Sequence, residues 1–152
     1  MGDRLRESHG ELDYDGGLML LKHRLQGAHA VWPPRDGVLQ IILDEQRSVL
    51  DAIQERLGES DLPASLRLVE MADAIMMEAS ELKAWLPWKR WKGDYGRELT
   101  DEEEAGVIEE LVDILHFLLE ALLIIEVESE YDLGALYLAK AAVNKKRQED
   151  GY

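Results

Sequence analysis

Residues 109–127 read EELVDILHFLLEALLIIEV, and this stretch decides the fold. It is long and apolar, yet Asp113, His116, Glu120 and Glu126 interrupt it. A membrane span needs about 20 predominantly apolar residues with few charges, so the stretch reads as a buried helix of a bundle. Working backwards, Thr100 is followed three residues later by Glu103, the spacing of a capping box. That pair places the helix start at Thr100 and predicts a helix to about Glu128. Glu102, Glu103 and Glu104 then fall in a first turn, where acids suit the helix dipole. Asp132 opens a last helix, expected to reach about Glu149.

Towards the N-terminus the pattern stays helical. Leu39, Ile42, Leu43, Val49, Leu50, Ile53 and Leu57 keep mostly to steps of three and four, and Gly58 is a good stop. Asp61-Leu62-Pro63 opens the next helix, expected to run to about Leu86. The tract from Pro87 to Gly96 is irregular, aromatic and basic. Trp32-Pro33-Pro34-Arg35-Asp36-Gly37 is a strong breaker; before it, residues 18–31 have the pattern of a short helix. No alternating strand pattern, Gly-rich phosphate loop or internal repeat is present. The expectation is an all-α, four-helix-bundle-like domain over residues 38–152, preceded by an N-terminal extension over residues 1–37.

Bulk properties narrow the function. The 152 residues suit one domain with a core. The formal net charge of −15 repels phosphate backbones and anionic membranes, so neither nucleic acid nor membrane is expected as a partner. It repels a nucleotide too, unless cations bridge the two. There is no cysteine, which removes disulfides, thiolate metal sites and cysteine nucleophiles. Met1 to Asp13 is polar and charged, unlike a secretory leader, and the cytoplasm is the expected location.

The chemistry-bearing residues are two pairs of acids. Glu78 and Glu81 stand three apart on the second helix, and Glu110 and Asp113 three apart on the third, so each pair shares one helical face. Both are embedded in apolar sequence: Ile75-Met76-Met77 precedes Glu78, and Leu111-Val112 and Ile114-Leu115 flank Asp113. Either pair alone reads as a solvated face. Two such pairs facing each other across a bundle repel, and a divalent cation is the natural remedy. Mg²⁺ prefers carboxylate oxygens, with water and phosphate completing its shell. His116, one turn beyond Asp113, is read as a packed or surface histidine or one that orients a ligand.

The E-x-x-E and E-x-x-D pairs on successive helices resemble the all-α, MazG-like nucleoside triphosphate pyrophosphatases. Three further features resemble the dimeric dUTPase branch of that superfamily. They are the tract Pro87-Trp88-Lys89-Arg90-Trp91-Lys92, the segment from Glu110 to Leu119, and the spacing of Lys140, Asn144, Arg147, Gln148, Gly151 and Tyr152. The resemblance covers about residues 38–152. It implies that Glu78, Glu81, Glu110 and Asp113 hold Mg²⁺ against a triphosphate, with Glu78 or Glu81 orienting or deprotonating the attacking water. It implies phosphate contacts from Lys140, Asn144, Arg147 and Tyr152. Lys140, Asn144 and Arg147 also step along one helix face, so they can converge on one anion; a solvated basic helix end is the plainer reading.

For the nucleoside, the resemblance nominates Gln40 and Asp44, with Gln46 in an alternative register, and Trp88, Lys89 and Trp91. Arg90 departs from the family tract, where an aromatic residue often stands. The expected reaction is Mg²⁺-dependent hydrolysis of dUTP to dUMP and pyrophosphate by a homodimer. The rivals are the same chemistry on dCTP or a non-standard nucleotide, a di-iron bundle, and a non-catalytic helical interaction module. The di-iron bundle needs E-x-x-H pairs, which the two acid pairs do not supply.

Overall fold

The computed structural model describes residues 37–58 and 61–151. These form four helices and no strand: α1 Val38–Leu57, α2 Ala64–Trp85, α3 Asp101–Ile124 and α4 Glu130–Glu149. The all-α expectation stands. The short helix expected at residues 18–31 and the rest of the extension up to residue 36 lie outside the described residues.

Local chemistry accounts for the helix ends. Gly58, at φ 87, closes α1 by donating its N–H to the Gln54 carbonyl, a positive-φ backbone that glycine adopts without steric cost. The Pro63 carbonyl accepts from the N–H groups of Leu66 and Arg67 and so starts α2. At α3 the capping box is complete. The Thr100 N–H donates to Glu103 Oε2 at 2.9 Å, and the Glu103 N–H donates to Thr100 Oγ1 at 3.3 Å.

Two boundaries differ from the expectation. Helix α3 stops at Ile124, four residues short of the expected Glu128. The chain is turned there by a Schellman arrangement: Val127 N–H donates to the Leu122 carbonyl and Glu126 N–H to the Leu123 carbonyl. Glu126 takes the left-handed position, φ 64, usually held by glycine, so the stop leaves no glycine signal in the sequence. Helix α4 starts two residues before the expected Asp132. Its cap is Ser129, whose Oγ accepts from the Asp132 N–H at 3.1 Å.

The described residues fall into two compact units. Residues 82–109 form one. In it Ala105 and Gly106 are buried, and the Trp85 indole lies directly over Gly106. The connection from α2 to α3 descends through successive turns, with Lys92, Tyr95 and Arg97 each donating three residues back. Arg97 forms a two-pronged ion pair with Glu103, at 2.7 and 2.5 Å.

The other unit comprises residues 37–58, 61–81 and 110–151. Its buried residues are Leu43, Leu119 and the polar Gln46. Helices α1 and α4 are joined by a reciprocal pair: Gln40 N–H donates to Glu130 Oε2 at 3.2 Å, and Glu130 N–H to Gln40 Oε1 at 2.9 Å. Helix α3 meets α1 through His116 and Gln46, 2.7 Å apart. The apolar stretch of α3 is less buried than its sequence suggests. Leu111, Val112, Leu115 and Leu118 are all exposed in the single chain.

Candidate active site

Helical spacing does most of the work at the acid site. Glu110 and Asp113 project from α3 one turn apart, and Glu78 projects from α2. Carboxylate oxygens of the three lie within 4.8 Å of one another, and all three side chains are partly buried. The sequence nominates four acids, and the structure brings three together. Glu81 lies outside that group and is exposed, but its charge still reaches Glu78.

The electrostatics follow from that crowding. The Glu78 carboxyl is held above its ordinary range by partial burial, by the charge of Glu81, by a hydrogen bond with Glu110, and by the charges of Asp113 and Glu110. Two carboxyl groups that share a hydrogen bond cannot both be ionised without cost. A proton relieves that repulsion at one oxygen; a divalent cation relieves it at several. The donors are all carboxylate oxygens, the set preferred by hard cations such as Mg²⁺ and Ca²⁺, so the residues fit such an ion.

The other nominated residues lie elsewhere. In the 37–81 and 110–151 unit, Gln40 is engaged through both its amide oxygen and its amide nitrogen. Its Oε1 accepts from Glu130 and its Nε2 donates to Asp44 Oδ1 at 2.9 Å. Gln40 and Asp44 are thus brought together, in a tie between α1 and α4. Lys140, Asn144 and Arg147 stand exposed along α4, and Asn144 and Arg147 line an open groove with Lys145 and Gln148. Tyr152 lies outside the described residues.

In the 82–109 unit, Trp88, Lys89 and Trp91 form a cluster of their own. Trp88 meets Trp91 edge to face at 5.6 Å between ring centres. The ammonium groups of Lys83 and Lys89 sit 4.4 and 5.3 Å from the Trp88 ring. Arg90 lies over Tyr95. Trp91 is 74% exposed, so of the two tryptophans its ring keeps the more open face.

Sequence reasoning gives too little weight to the contact between Gln46 and His116. The signal is present: Leu39, Leu43, Gln46 and Leu50 step by four, three and four, which puts a glutamine on the core stripe of α1. Buried polar groups need partners, and His116 supplies one.

Fold and site together define a class: an all-α protein whose two central helices present clustered carboxylates suited to a divalent cation. The chain belongs to the all-α dUTPase family, whose family model, described as dUTPase, matches residues 38–132. It is also 32% identical over 83 residues to the dCTP pyrophosphatase of Enterobacteria phage T4, a match covering 50% of this chain and 48% of the phage protein. The chain thus spans about half the length of that curated relative. No solved structure matches it. No helix among the described residues is long and apolar enough to cross a membrane.

Proposed function

We propose that this protein hydrolyses dUTP to dUMP and pyrophosphate with Mg²⁺ as its cofactor. The carrying observation is the convergence of Glu78, Glu110 and Asp113, from two helices, within 4.8 Å. Family membership supports the substrate class. A bound Mg²⁺ would neutralise phosphate charge and lower the pKa of water, and Glu78, Glu110 and Asp113 would hold it.

The chain's own groups do the rest. Glu81 stays outside the trio, exposed and one turn along α2, and is the group assigned to orient and deprotonate the attacking water. Lys140, Asn144 and Arg147 share a face of α4 and receive the phosphates, with Tyr152 as a further contact. Lys140 and Arg147 offset the charge that builds up on the departing pyrophosphate. For the base, Trp91 offers the more open stacking ring. Gln40, which holds Asp44, is assigned to the nucleoside, with Gln46 as the alternative register. Asp44, Trp88 and Lys89 remain assigned to the nucleoside end.

The exposed apolar side chains of α2 and α3, among them Val69, Met76, Met77, Leu111 and Leu118, support a homodimer that covers them. A cytoplasmic location accompanies this reading.

A second reading has one observation in its favour. The phage T4 relative is a dCTP pyrophosphatase, so the same site would act on dCTP. Pyrophosphate release from a panel of ribo- and deoxynucleoside triphosphates, with and without Mg²⁺, decides between them. Mg²⁺-dependent release led by dUTP is the expected result. Release led by dCTP moves the assignment to the second reading, and no release from any nucleotide removes both.

A further inference from the structure

A cavity of about 340 Å³ lies in the 37–81 and 110–151 unit, a size at which small ligands bind. Arg47 of α1 and Arg67 of α2 stand in its wall, with Leu123 at the end of α3 and Glu128 in the connection to α4. Arg67 is eleven residues from Glu78, and Leu123 is ten from Asp113. The helical rise therefore puts the cavity about 15 Å along both helices from the acid group.

The protein does not saturate the Arg47 guanidinium. Its Nη2 atom is sealed from solvent and has no hydrogen-bond partner among the described residues. Glu128 Oε2 stands 3.5 Å from it, an ion-pair distance but longer than an N–H···O bond. A buried donor left unpaired is costly. Glu128 is a loose cover, because its side chain is 59% exposed and can turn out into water. The charged lining that remains is Arg47 and Arg67 with Asp51 and Glu126, two cations and two anions. A wholly anionic ligand is repelled by the two acids, and a simple cation offers Nη2 no acceptor. A zwitterion satisfies both signs. Leu50, Leu123 and Ile124 supply an apolar wall beside these charges.

We infer that this cavity binds a free α-amino acid with an apolar side chain. The ligand's carboxylate takes the place of Glu128 on Arg47, with Arg67 as the second guanidinium. Its ammonium meets Asp51 and Glu126, and its side chain lies on Leu50, Leu123 and Ile124. The lining residues come from three helices, so a bound ligand ties them together and stabilises the folded chain.

Calorimetry and thermal melts of the full chain test this without using nucleotide hydrolysis. The probes are L-leucine, L-isoleucine and L-phenylalanine. Isoamylamine and 4-methylpentanoate keep the leucine skeleton but lack the carboxylate or the ammonium, and inorganic phosphate is the purely anionic control. At least one of the amino acids should bind saturably and raise the melting temperature. Each one-charge analogue should bind at least about tenfold more weakly than leucine, the order of one hydrogen bond to a charged group. Glu128→Ala removes the competing carboxylate and should tighten amino-acid binding about threefold, the order of an exposed ion pair. Arg67→Met should weaken it about tenfold with helical circular dichroism retained.

No binding of any amino acid at millimolar concentration overturns the inference. So do phosphate or a one-charge analogue binding as tightly as the amino acids, and a Glu128→Ala variant that binds them more weakly than wild type. Should Arg67→Met fail to fold, the analogues on wild type and the exposed Glu128→Ala position still decide.

Discussion

At the scale of single residues, two positions carry most of the consequence. Asp113 is partly buried within a group of three acids, and removing it takes away a ligand without touching the helix pattern. Metal-based charge stabilisation is worth several kcal/mol, and about 1.4 kcal/mol is tenfold in rate. Asp113→Ala and Glu78→Ala are therefore expected to lose at least a hundredfold in nucleotide hydrolysis (~2.7 kcal/mol) with helical circular dichroism retained. Full activity in both variants would remove the acid cluster from the mechanism. Glu126 is the second position. Its left-handed backbone, φ 64, costs an L-residue roughly 1 kcal/mol that glycine does not incur. Glu126→Gly should raise stability by up to about 1 kcal/mol, with part of the gain lost to the freer unfolded chain. Chemical denaturation is the measurement, and a clear loss of stability would show that the Glu126 side chain contributes more than its backbone costs.

At the scale of elements, the start of α3 holds its own electrostatic device. Arg97, the Thr100 backbone and the Thr100 hydroxyl all hold the Glu103 carboxylate, and they bring its pKa down to about 2. The folded pKa lies below the ordinary 4.5, so the folded state favours the ionised form. The resulting stability is fully present above pH 4.5 and is lost as pH falls towards about 2. Wild type should therefore be more stable than Glu103→Gln at neutral pH, with the gap closing over that acidic window. A gap that does not depend on pH would contradict the ion pair. A few residues on, Gly106 faces the Trp85 indole so closely that a Cβ would overlap the ring. Overpacking of this kind costs typically about 1–3 kcal/mol. Gly106→Ala should destabilise by about that amount in thermal or urea melts, and a smaller indole replacement, Trp85→Leu, should recover part of the loss.

At the scale of the whole molecule, charge and uncovered apolar surface set the behaviour. A net charge of −15 means that an anionic nucleotide approaches against the field unless cations intervene. Several large apolar side chains of α2 and α3 are exposed in the single chain, and surfaces of that kind on soluble proteins mark interaction sites. Sedimentation equilibrium is expected to give a dimer. Replacing Leu111 and Leu118 together by Glu should shift it towards monomer, and a wild type that stays monomeric at high concentration would leave those faces without the proposed partner.

What the chain reveals by itself is whatever depends on neighbours in sequence. The helices, the capping box of Thr100 and Glu103, and the three-residue spacing of each acid pair rest on contacts within one turn, so they are legible in the order of residues. The stop of α3 at Ile124 is not, because it uses a glutamate where glycine is the usual sign. Nor can spacing say which acids converge. Glu78 and Glu81 are equivalent in sequence, but only Glu78 joins the group with Glu110 and Asp113, since that depends on how α2 is rotated against α3. The same holds for the glutamines. Gln46 lies on the apolar stripe of α1, but only the positions of Glu130 and His116, each 70 or more residues away, tie Gln40 to α4 and Gln46 to α3. Local periodicity determined the elements and the candidate chemistry. Tertiary packing decided which of those residues meet, because meeting depends on the rotation of each helix and not on its sequence alone.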